Sequence, residues 1–341
     1  MFNILKFTKN GFNFLVTTSL GRYCILWKYT DDETLLKVGY LQCLGGNVTS
    51  IHSRRNLTVF GNADKTVLLR SKENENYQNK TIQNNIREKV LQAKISPSGK
   101  SIAVSTELGK IINVDLDTFK CTNIPPFHKN SVYKISWFSN KIFYSICTNG
   151  EVICHDLGGQ GKGSKILNLN ELGLSKYGKI TNFSCLDYKR LSNYFIAGYD
   201  KGTVIIFKKF MRTDCKSIDD IDIIYNEQVQ PKTICEIEVA HVWEIDSNIN
   251  LDHYYLAVGS NHPDIKVLKF TKTNTIARSD EYTSNQTEIT ETQNFTFNKK
   301  YNLKGHIQRV LKLIFIGKNR NFLFSSGSDG LVNFFNWCLF F

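Results

Sequence analysis

Short apolar segments separated by turn residues recur along almost the whole chain. The clearest series is FNILKF, NVTSIH, VLQAKIS, SVYKISW, KITNFSCL, VWEIDSN and RVLKLIF. Segments of this length, rich in β-branched and aromatic residues and bounded by Gly, Asn and Asp, predict β-strands rather than helices. We call this strand a of a repeated unit.

A second apolar strand, b, follows each of these segments and ends in a tight turn before a third strand, c. The turns are anchored at Gly21, Lys65, Gly109, Gly150, Gly202, Pro263 and Gly330. The successive intervals are 44, 44, 41, 52, 61 and 67 residues. Three of them lie near the roughly 40 to 45 residues of a four-stranded propeller repeat, and longer intervals indicate inserted loops.

The repeat predicts one all-β domain over residues 1–341, a seven-bladed β-propeller in which strand d of each blade is more polar than the others. The blades begin near residues 2, 46, 88, 128, 178, 240 and 305. The polar stretches 72–87, 211–235 and 271–300 are predicted to be mobile loop insertions.

The last blade is predicted to have three strands, because only VNFFNWCLFF follows its b–c turn. Its uncovered strand c would expose unpaired backbone groups. We therefore expect either that a partner protein or a second copy donates the missing strand, or that the chain is a piece of a longer protein.

The last unit carries a recognisable motif: Gly305-His306 before strand a, Ser325 in strand b, Asp329 in the turn and Phe335-Asn336 at the end of strand c. In this pattern the chain resembles the WD-repeat family, which usually has Trp-Asp at the last position. The resemblance implies a structural hydrogen-bond set formed by His306, Ser325 and Asp329, the one complete set in the chain.

The other units match the pattern only in part. The corresponding residues are His128 and His241 before strand a, Asp64 in the turn of unit 2, and Val114-Asp115 and His155-Asp156 at the Trp-Asp position; Leu20 and Leu108 replace the turn Asp. The seven histidines are assigned to different repeats or to loops, without convergent ligands. We therefore expect structural roles for them and no metal site.

Several kinds of chemistry find no support in the sequence. The nine cysteines are scattered and form no C-x-x-C pair, GGQGKGSK lacks the order of a phosphate-binding loop, and no G-x-S-x-G stretch precedes a helix pattern. The expectation is a non-catalytic binding protein without cofactors. The sequence contains neither a secretory signal nor a long apolar span, so we expect a cytosolic or nuclear protein that does not enter a membrane.

Charge suggests what the protein binds. The chain has 43 Lys and Arg against 31 Asp and Glu, a net charge of +12. In the predicted fold the b–c turns and the loops preceding strand a meet on one face, which gathers a possible anionic-ligand site: Arg22, Lys65, Lys89, Lys110, Lys129, Lys179, Lys201 and Arg309. Such a ring would bind phosphate backbone without reading bases, although exposed turns carry lysines whatever their function.

A finer resemblance concerns unit 7 alone. In the spacing of its V-L-K stretch and its S-x-x-x-D-G turn, RVLKLIFIGKNRNFLFSSGSDGLVNFFNW is similar to a blade of the WD-repeat accessory subunit of tRNA ribose 2′-O-methyltransferases. This implies a scaffold that positions tRNA for a partner methyltransferase. The alternative is a protein-interaction scaffold without RNA, in a ribosome-assembly, chromatin or ubiquitin-ligase complex.

Overall fold

The structure is a computed structural model of the chain. It describes residues 3–9, 12–18, 23–29, 35–42, 47–54, 56–73, 76–83, 86–125, 127–158, 164–167, 174–185, 194–208, 231–236, 242–249, 253–277, 290–316 and 322–336.

These residues form seven antiparallel sheets, numbered here in chain order. Sheets 1 to 3 contain β1 (Asn3–Lys9), β2 (Phe12–Thr18), β3 (Tyr23–Tyr29), β4 (Leu35–Gln42); β5 (Val48–Arg54), β6 (Leu57–Asn62), β7 (Val67–Glu73), β8 (Asn76–Ile82); β9 (Val90–Ile95), β10 (Ser101–Thr106), β11 (Ile111–Asp115) and β12 (Cys121–Asn123). Sheets 4 and 5 contain β13 (Val132–Trp137), β14 (Ile142–Cys147), β15 (Val152–Asp156), β16 (Ser164–Leu167); β17 (Ile180–Cys185), β18 (Tyr194–Tyr199), β19 (Thr203–Lys208) and β20 (Pro231–Glu236). Sheets 6 and 7 contain β21 (Val242–Ile249), β22 (His253–Ser260), β23 (Ile265–Ala277), β24 (Thr290–Leu303); β25 (Val310–Ile316), β26 (Phe322–Gly327) and β27 (Val332–Asn336).

Each sheet is a meander in which every strand pairs with the next one along the chain. The first strand of each sheet coincides with one of the seven predicted a strands, so the prediction of an all-β chain built from seven repeated sheets is confirmed. In the described ranges the only helix is a single 3-10 turn at Leu174–Tyr177. None there is long and apolar enough to cross a membrane.

The first strands form the contacts between sheets. β1 contacts β5, β5 contacts β9, β9 contacts β13, β13 contacts β17, β17 contacts β21, β21 contacts β25, and β25 contacts β1. The apolar core lies between the facing sheets. One cluster, for example, joins Val59 and Val67 of sheet 2 to Val90 and Ile102 of sheet 3.

Hydrogen bonds between sheets 2, 3 and 4 set the direction of their first strands. Ala93 N–H donates to Ser50 Oγ (2.9 Å), and Ile95 N–H donates to His52 Nδ1 (3.1 Å). Trp137 Nε1–H donates to the Lys94 carbonyl (3.0 Å). All three bonds join residues 43 positions apart, which requires the first strands to run parallel. The b–c turns of these sheets therefore lie at the same end.

The predicted loop insertions contain strands. Residues 76–82 form β8, residues 231–236 form β20, and residues 271–277 and 290–300 extend β23 and β24 into a long hairpin. The prediction of loops was wrong over these residues because outer strands have little apolar periodicity and pair through their backbones. The rest of the 211–235 insertion lies outside the described residues.

Sheet 7 has three strands in the part of the chain that the structure describes. β1 pairs with β2 in sheet 1 and does not supply a fourth strand to β27. The third strand of sheet 7 is half-buried along its whole length, whereas β15, the third strand of sheet 4, is mostly buried.

Candidate functional site

Five of the b–c turns in the described residues are joined to the segment before strand a of their own sheet. In sheets 2, 3, 4, 5 and 7 the first turn residue donates its N–H to a carbonyl just before strand a: Ala63 to Asn47 (2.9 Å), Glu107 to Lys89 (3.1 Å), Thr148 to Ser131 (3.0 Å), Asp200 to Lys179 (2.9 Å) and Ser328 to Arg309 (3.0 Å). We call the surface formed by these turns and preceding segments the turn face.

The turn anchors share a left-handed backbone conformation. Lys65, Gly109, Gly150, Gly202 and Gly330 have φ of 70°, 91°, 86°, 82° and 80°. Gly109 is required for a second reason, since a Cβ there would lie 2.0 Å from the His128 carbonyl oxygen. The other two anchors differ, because Gly21 lies outside the described residues and the turn containing Pro263 has no residue with positive φ.

Most of the predicted cations lie exposed on the turn face. Lys65, Lys129, Lys179, Lys201 and Arg309 are exposed, and Lys89 is half-buried. Arg22 lies outside the described residues. The structure thus brings the predicted cations of sheets 2, 4, 5 and 7 to turns and preceding segments of the same type.

Lys110 is a different case, because it is neutralised. Its Nζ lies 2.5 Å from Oε1 of Glu88, a buried side chain that also accepts a hydrogen bond from the Thr106 hydroxyl (2.5 Å). Burial alone would raise the pKa of Glu88, but the Lys110 and Thr106 hydrogen bonds hold it below its usual value. The prediction that Lys110 serves as a ligand cation does not fit this geometry.

Acidic side chains on the turn face accept hydrogen bonds from the turns and from the segments before strand a. Asp64 accepts from the Thr66 hydroxyl (2.6 Å), Asp200 from Lys179 N–H (3.0 Å), and Asp329 from Ile307 N–H (3.0 Å). The exposed acids of the described turns and preceding segments are Asp64 and Glu107, against the five exposed cations above, so the face is mainly cationic.

Three further exposed cations, Arg87, Lys176 and Lys304, lie in segments that precede strand a and were missed by sequence reasoning. They stand three, four and six residues before Val90, Ile180 and Val310, respectively. A search for Lys and Arg over the six residues before each strand a would have identified them.

In sheet 7 the predicted hydrogen-bond set comes together. His306 Nδ1 lies 2.9 Å from Asp329 Oδ2, and its Nε2 lies 2.8 Å from Ser325 Oγ. Burial raises the pKa of Asp329, but the N–H groups of Ile307 and Leu331, with His306, hold it below its usual range. The arrangement ties strand b and the turn to the segment before strand a.

Sheet 4 contains a second network, so the sheet 7 set is not the only one. His128 Nδ1 lies 2.7 Å from Glu151 Oε1, and its Nε2 lies 2.7 Å from Ser145 Oγ. Ser145 Oγ is also 2.7 Å from His155 Nε2. The expectation that the histidines lack convergent partners was wrong, because Ser145 links two imidazoles from opposite ends of one unit. The predicted pre-strand His241 lies outside the described residues.

Burial keeps both imidazoles of this network neutral. It lowers the pKa of His155 to about 3, assisted by the neighbouring His128. Burial also lowers the pKa of His128, against the opposing effect of Glu151. The nearby Cys147 thiol is buried, which raises its pKa, and it donates to Asn149 Oδ1 (2.5 Å).

Large apolar side chains are also exposed on the turn face. Leu108 is 67% exposed and Ile307 is 79% exposed. Phe127, in the segment before β13, and Leu331, in the turn of sheet 7, are exposed as well. Exposed apolar groups together with cations are typical of a binding surface. No family model matches the chain, and no curated protein matches it.

Proposed function

We propose that the chain is a closed seven-bladed propeller of the WD-repeat type, a non-catalytic scaffold whose turn face binds RNA. The cyclic order of contacts between first strands, which returns from β25 to β1, supports closure of the ring. Closure would carry the parallel arrangement of sheets 2 to 4 around the molecule and bring all the turns to one face.

One observation carries the RNA proposal. On the described turns and preceding segments of the turn face, eight exposed Lys and Arg side chains stand against two exposed acids, Asp64 and Glu107. Exposed positive charge therefore exceeds exposed negative charge on this face. A face of this kind suits a phosphate backbone, which presents repeated negative charge over a long distance.

We further propose that the RNA is tRNA, held for a partner methyltransferase. The support for this is the resemblance of unit 7 together with the spread of cations over sheets 2, 4, 5 and 7, which suits a folded RNA better than a small phosphorylated ligand.

The test uses the full chain and mixed tRNA at about 50 and 200 mM salt, the range over which backbone binding weakens most. The variant carries Lys65→Glu, Lys129→Glu and Lys201→Glu, which omits the neutralised Lys110. We expect it to bind tRNA more weakly than the parent at both salt concentrations, with the larger loss at the lower one. We also expect the salt dependence to flatten by roughly 0.7 to 0.9 in log–log slope for each phosphate that the variant no longer neutralises.

The matched control carries Lys100→Glu, Lys120→Glu and Lys141→Glu. These exposed lysines lie in a–b and c–d connections of sheets 3 and 4, at the opposite end of the strands. The control changes the net charge equally and should keep tRNA binding. Equal retention by the two variants, or no retention by the parent, would remove RNA from the proposal.

A protein-interaction scaffold is the second candidate, favoured by the exposed Leu108, Ile307 and Leu331. The double variant Ile307→Asp and Leu331→Asp should lose co-purifying proteins while keeping the lysines. If it loses partners and the parent binds no tRNA, the scaffold function without RNA is the correct one.

A further inference from the structure

The side chains of His128, Cys147 and Glu151 stand close together at the turn end of sheet 4. A ring nitrogen of His128, Sγ of Cys147 and a carboxylate oxygen of Glu151 all lie within 4.8 Å of one another, and Nδ1 is the nitrogen that faces Glu151 (2.7 Å). His128 and Cys147 are buried, and the Glu151 side chain is 26% exposed. Nitrogen, thiolate and carboxylate ligands are the set that zinc takes in proteins.

Sheet 7 provides an internal comparison, because it has the same hydrogen-bonded histidine and serine without the ligands. Counting from the turn glycine, Cys147 corresponds to Gly327, Glu151 to Leu331, and His155 to Phe335. Three positions that carry no ligand atom in sheet 7 therefore carry one in sheet 4. A structural network of the sheet 7 kind needs none of these three replacements.

The side chain of Cys147 lies close to the His128 ring. In sheet 7 a Cβ on Gly327 would lie 2.6 Å from both His306 Nδ1 and Asp329 Oδ1. A side chain at the corresponding position of sheet 4 thus begins beside the His128 ring. Position 149 carries Asn149, which accepts from Cys147, and the carboxylate comes from Glu151, two residues later.

His155 supplies the hydrogen-bond acceptor that Ser145 needs when His128 binds a metal ion. To bind a cation, Nδ1 must lose its hydrogen, so Nε2–H must donate to Ser145 Oγ, and the Ser145 hydroxyl must then donate elsewhere. The neutral imidazole of His155, 2.7 Å away, has a ring nitrogen that accepts this hydrogen bond. An indole at this position could only donate, and the phenyl ring of Phe335 in sheet 7 could do neither.

We propose that His128 Nδ1, Cys147 Sγ and Glu151 form a zinc site in sheet 4, with water as the fourth ligand. Ligand distances of about 2.0 to 2.3 Å require the Glu151 carboxylate to move roughly 1 Å away from the imidazole. Its place on an exposed turn permits this movement and leaves the water position open to solvent. Ser145 and His155 orient His128 from behind, as outer partners do in zinc sites.

Protons balance in a simple way on binding. The Cys147 thiol loses its proton to solvent and forms the sulfur–zinc bond. His128 loses its Nδ1 proton and gains one on Nε2 from Ser145, Ser145 takes the Nε2 proton of His155, and His155 takes up a proton on Nδ1, so both imidazoles stay neutral and the network exchanges no net proton with solvent. About one proton should therefore be released for each zinc ion bound at neutral pH.

The experiment titrates the full chain, stripped of metal with a chelator, with Zn²⁺ by calorimetry in two buffers of different ionisation enthalpy, and with Co²⁺ by absorption. We expect one ion per chain, release of about one proton, and a thiolate-to-cobalt charge-transfer band. Cys147→Ala should abolish the band and weaken binding by at least roughly 100-fold, more than an outer partner costs. His155→Phe should weaken it by about 10- to 100-fold.

Two controls make the test specific. Cys154→Ala removes another buried thiol of sheet 4, and Asp329→Asn alters the corresponding network of sheet 7; both should bind Zn²⁺ like the parent. If Cys147→Ala does not fold, Glu151→Gln, at a partly exposed turn position, decides: weaker binding with the same fold supports the site. A parent that binds no Zn²⁺, or Cys147→Ala or Glu151→Gln variants that bind as well as the parent, would overturn the proposal.

Discussion

At the scale of single residues, sheets 4 and 7 each contain a buried histidine that is hydrogen-bonded to a serine, but the acid beside the histidine differs. His306 is hydrogen-bonded to Asp329 in sheet 7, and His128 is hydrogen-bonded to Glu151 in sheet 4. In both, a buried imidazole needs a partner at each nitrogen, because a buried polar atom without a hydrogen bond is costly. The networks should therefore contribute measurably to stability.

Asp329→Ala removes one partner and leaves His306, Ile307 N–H and Leu331 N–H unsatisfied. We expect a loss of about 1 to 3 kcal/mol in the free energy of unfolding, measured by chemical denaturation. Asp117→Ala, at an exposed position, is the control and should change stability by less than about 0.5 kcal/mol. Equal effects of the two substitutions would contradict this account of Asp329.

Burial of neutral His155 predicts a dependence on pH. Its pKa in the folded protein is about 3, against 6.5 for a free imidazole. The unfolded chain therefore binds a proton that the folded protein excludes, and stability falls as pH decreases through 6.5. The expected loss is about 1 kcal/mol between pH 6.5 and roughly 5.5.

The measurement compares the parent with His155→Phe, in the presence of a chelator, over this pH range. The variant should have a flatter pH profile, whatever its stability at neutral pH. Exposed His262 provides the control, since His262→Ala should keep the parent's slope. A His155→Phe profile parallel to that of the parent would refute the prediction.

At the scale of elements, the b–c turns do two things: they reverse the chain, and they anchor the segment before strand a of the same sheet. Positive φ accounts for the first role, and the turn-to-segment hydrogen bonds account for the second. The turn of sheet 3 also reaches sheet 4, because His128 N–H donates to the Gly109 carbonyl (3.1 Å). At Gly109 this turn has no space for a side chain.

Two turn glycines therefore differ in what alanine costs. Gly330→Ala meets no atom within 4 Å and suffers only the left-handed conformation, about 1 to 2 kcal/mol. Gly109→Ala has the same strain and collides with the His128 carbonyl at 2.0 Å. We expect Gly109→Ala to lose at least about twice as much stability as Gly330→Ala in denaturant titrations. Equal losses of stability in the two variants would show that the sheet 3 turn shifts to accommodate the added methyl group without further cost.

At the scale of the whole molecule, the junction of sheets 7 and 1 differs from the others. Trp27 of sheet 1 packs with Phe324 and Phe334 of sheet 7. Tyr23 lies on the same face of β3 as Trp27, and its ring contacts that of Tyr40 at 6.5 Å; both tyrosines are more than half exposed.

We expect the outer edge of β27 to accept a strand from a partner protein or a second copy. In the isolated chain, amides of Val332–Asn336 should exchange with solvent faster than those of Val152–Asp156 in β15, which has neighbours on both sides. Sedimentation identifies a second copy: slow exchange in a dimer supports self-donation. Slow exchange at β27 in a monomer would contradict the prediction.

The sequence by itself determined the repeated strands and their turns. Strand a of every sheet and the left-handed anchors follow from local causes, namely apolar runs that must be buried and glycines that relieve steric strain. The set of His306, Ser325 and Asp329 was also predicted from the sequence, through the resemblance of the last unit to a known repeat motif.

Only the tertiary structure decided which charges and imidazoles meet. Glu88 neutralises Lys110 across 22 residues, and Ser145 joins His128 to His155, because the meander brings strands b and c and the segment before strand a together at one end. The paired strands within the predicted insertions were decided in the same way, since backbone pairing of an outer strand leaves almost no trace in its side chains. Contacts of this kind depend on the register and stacking of sheets, which no local pattern specifies.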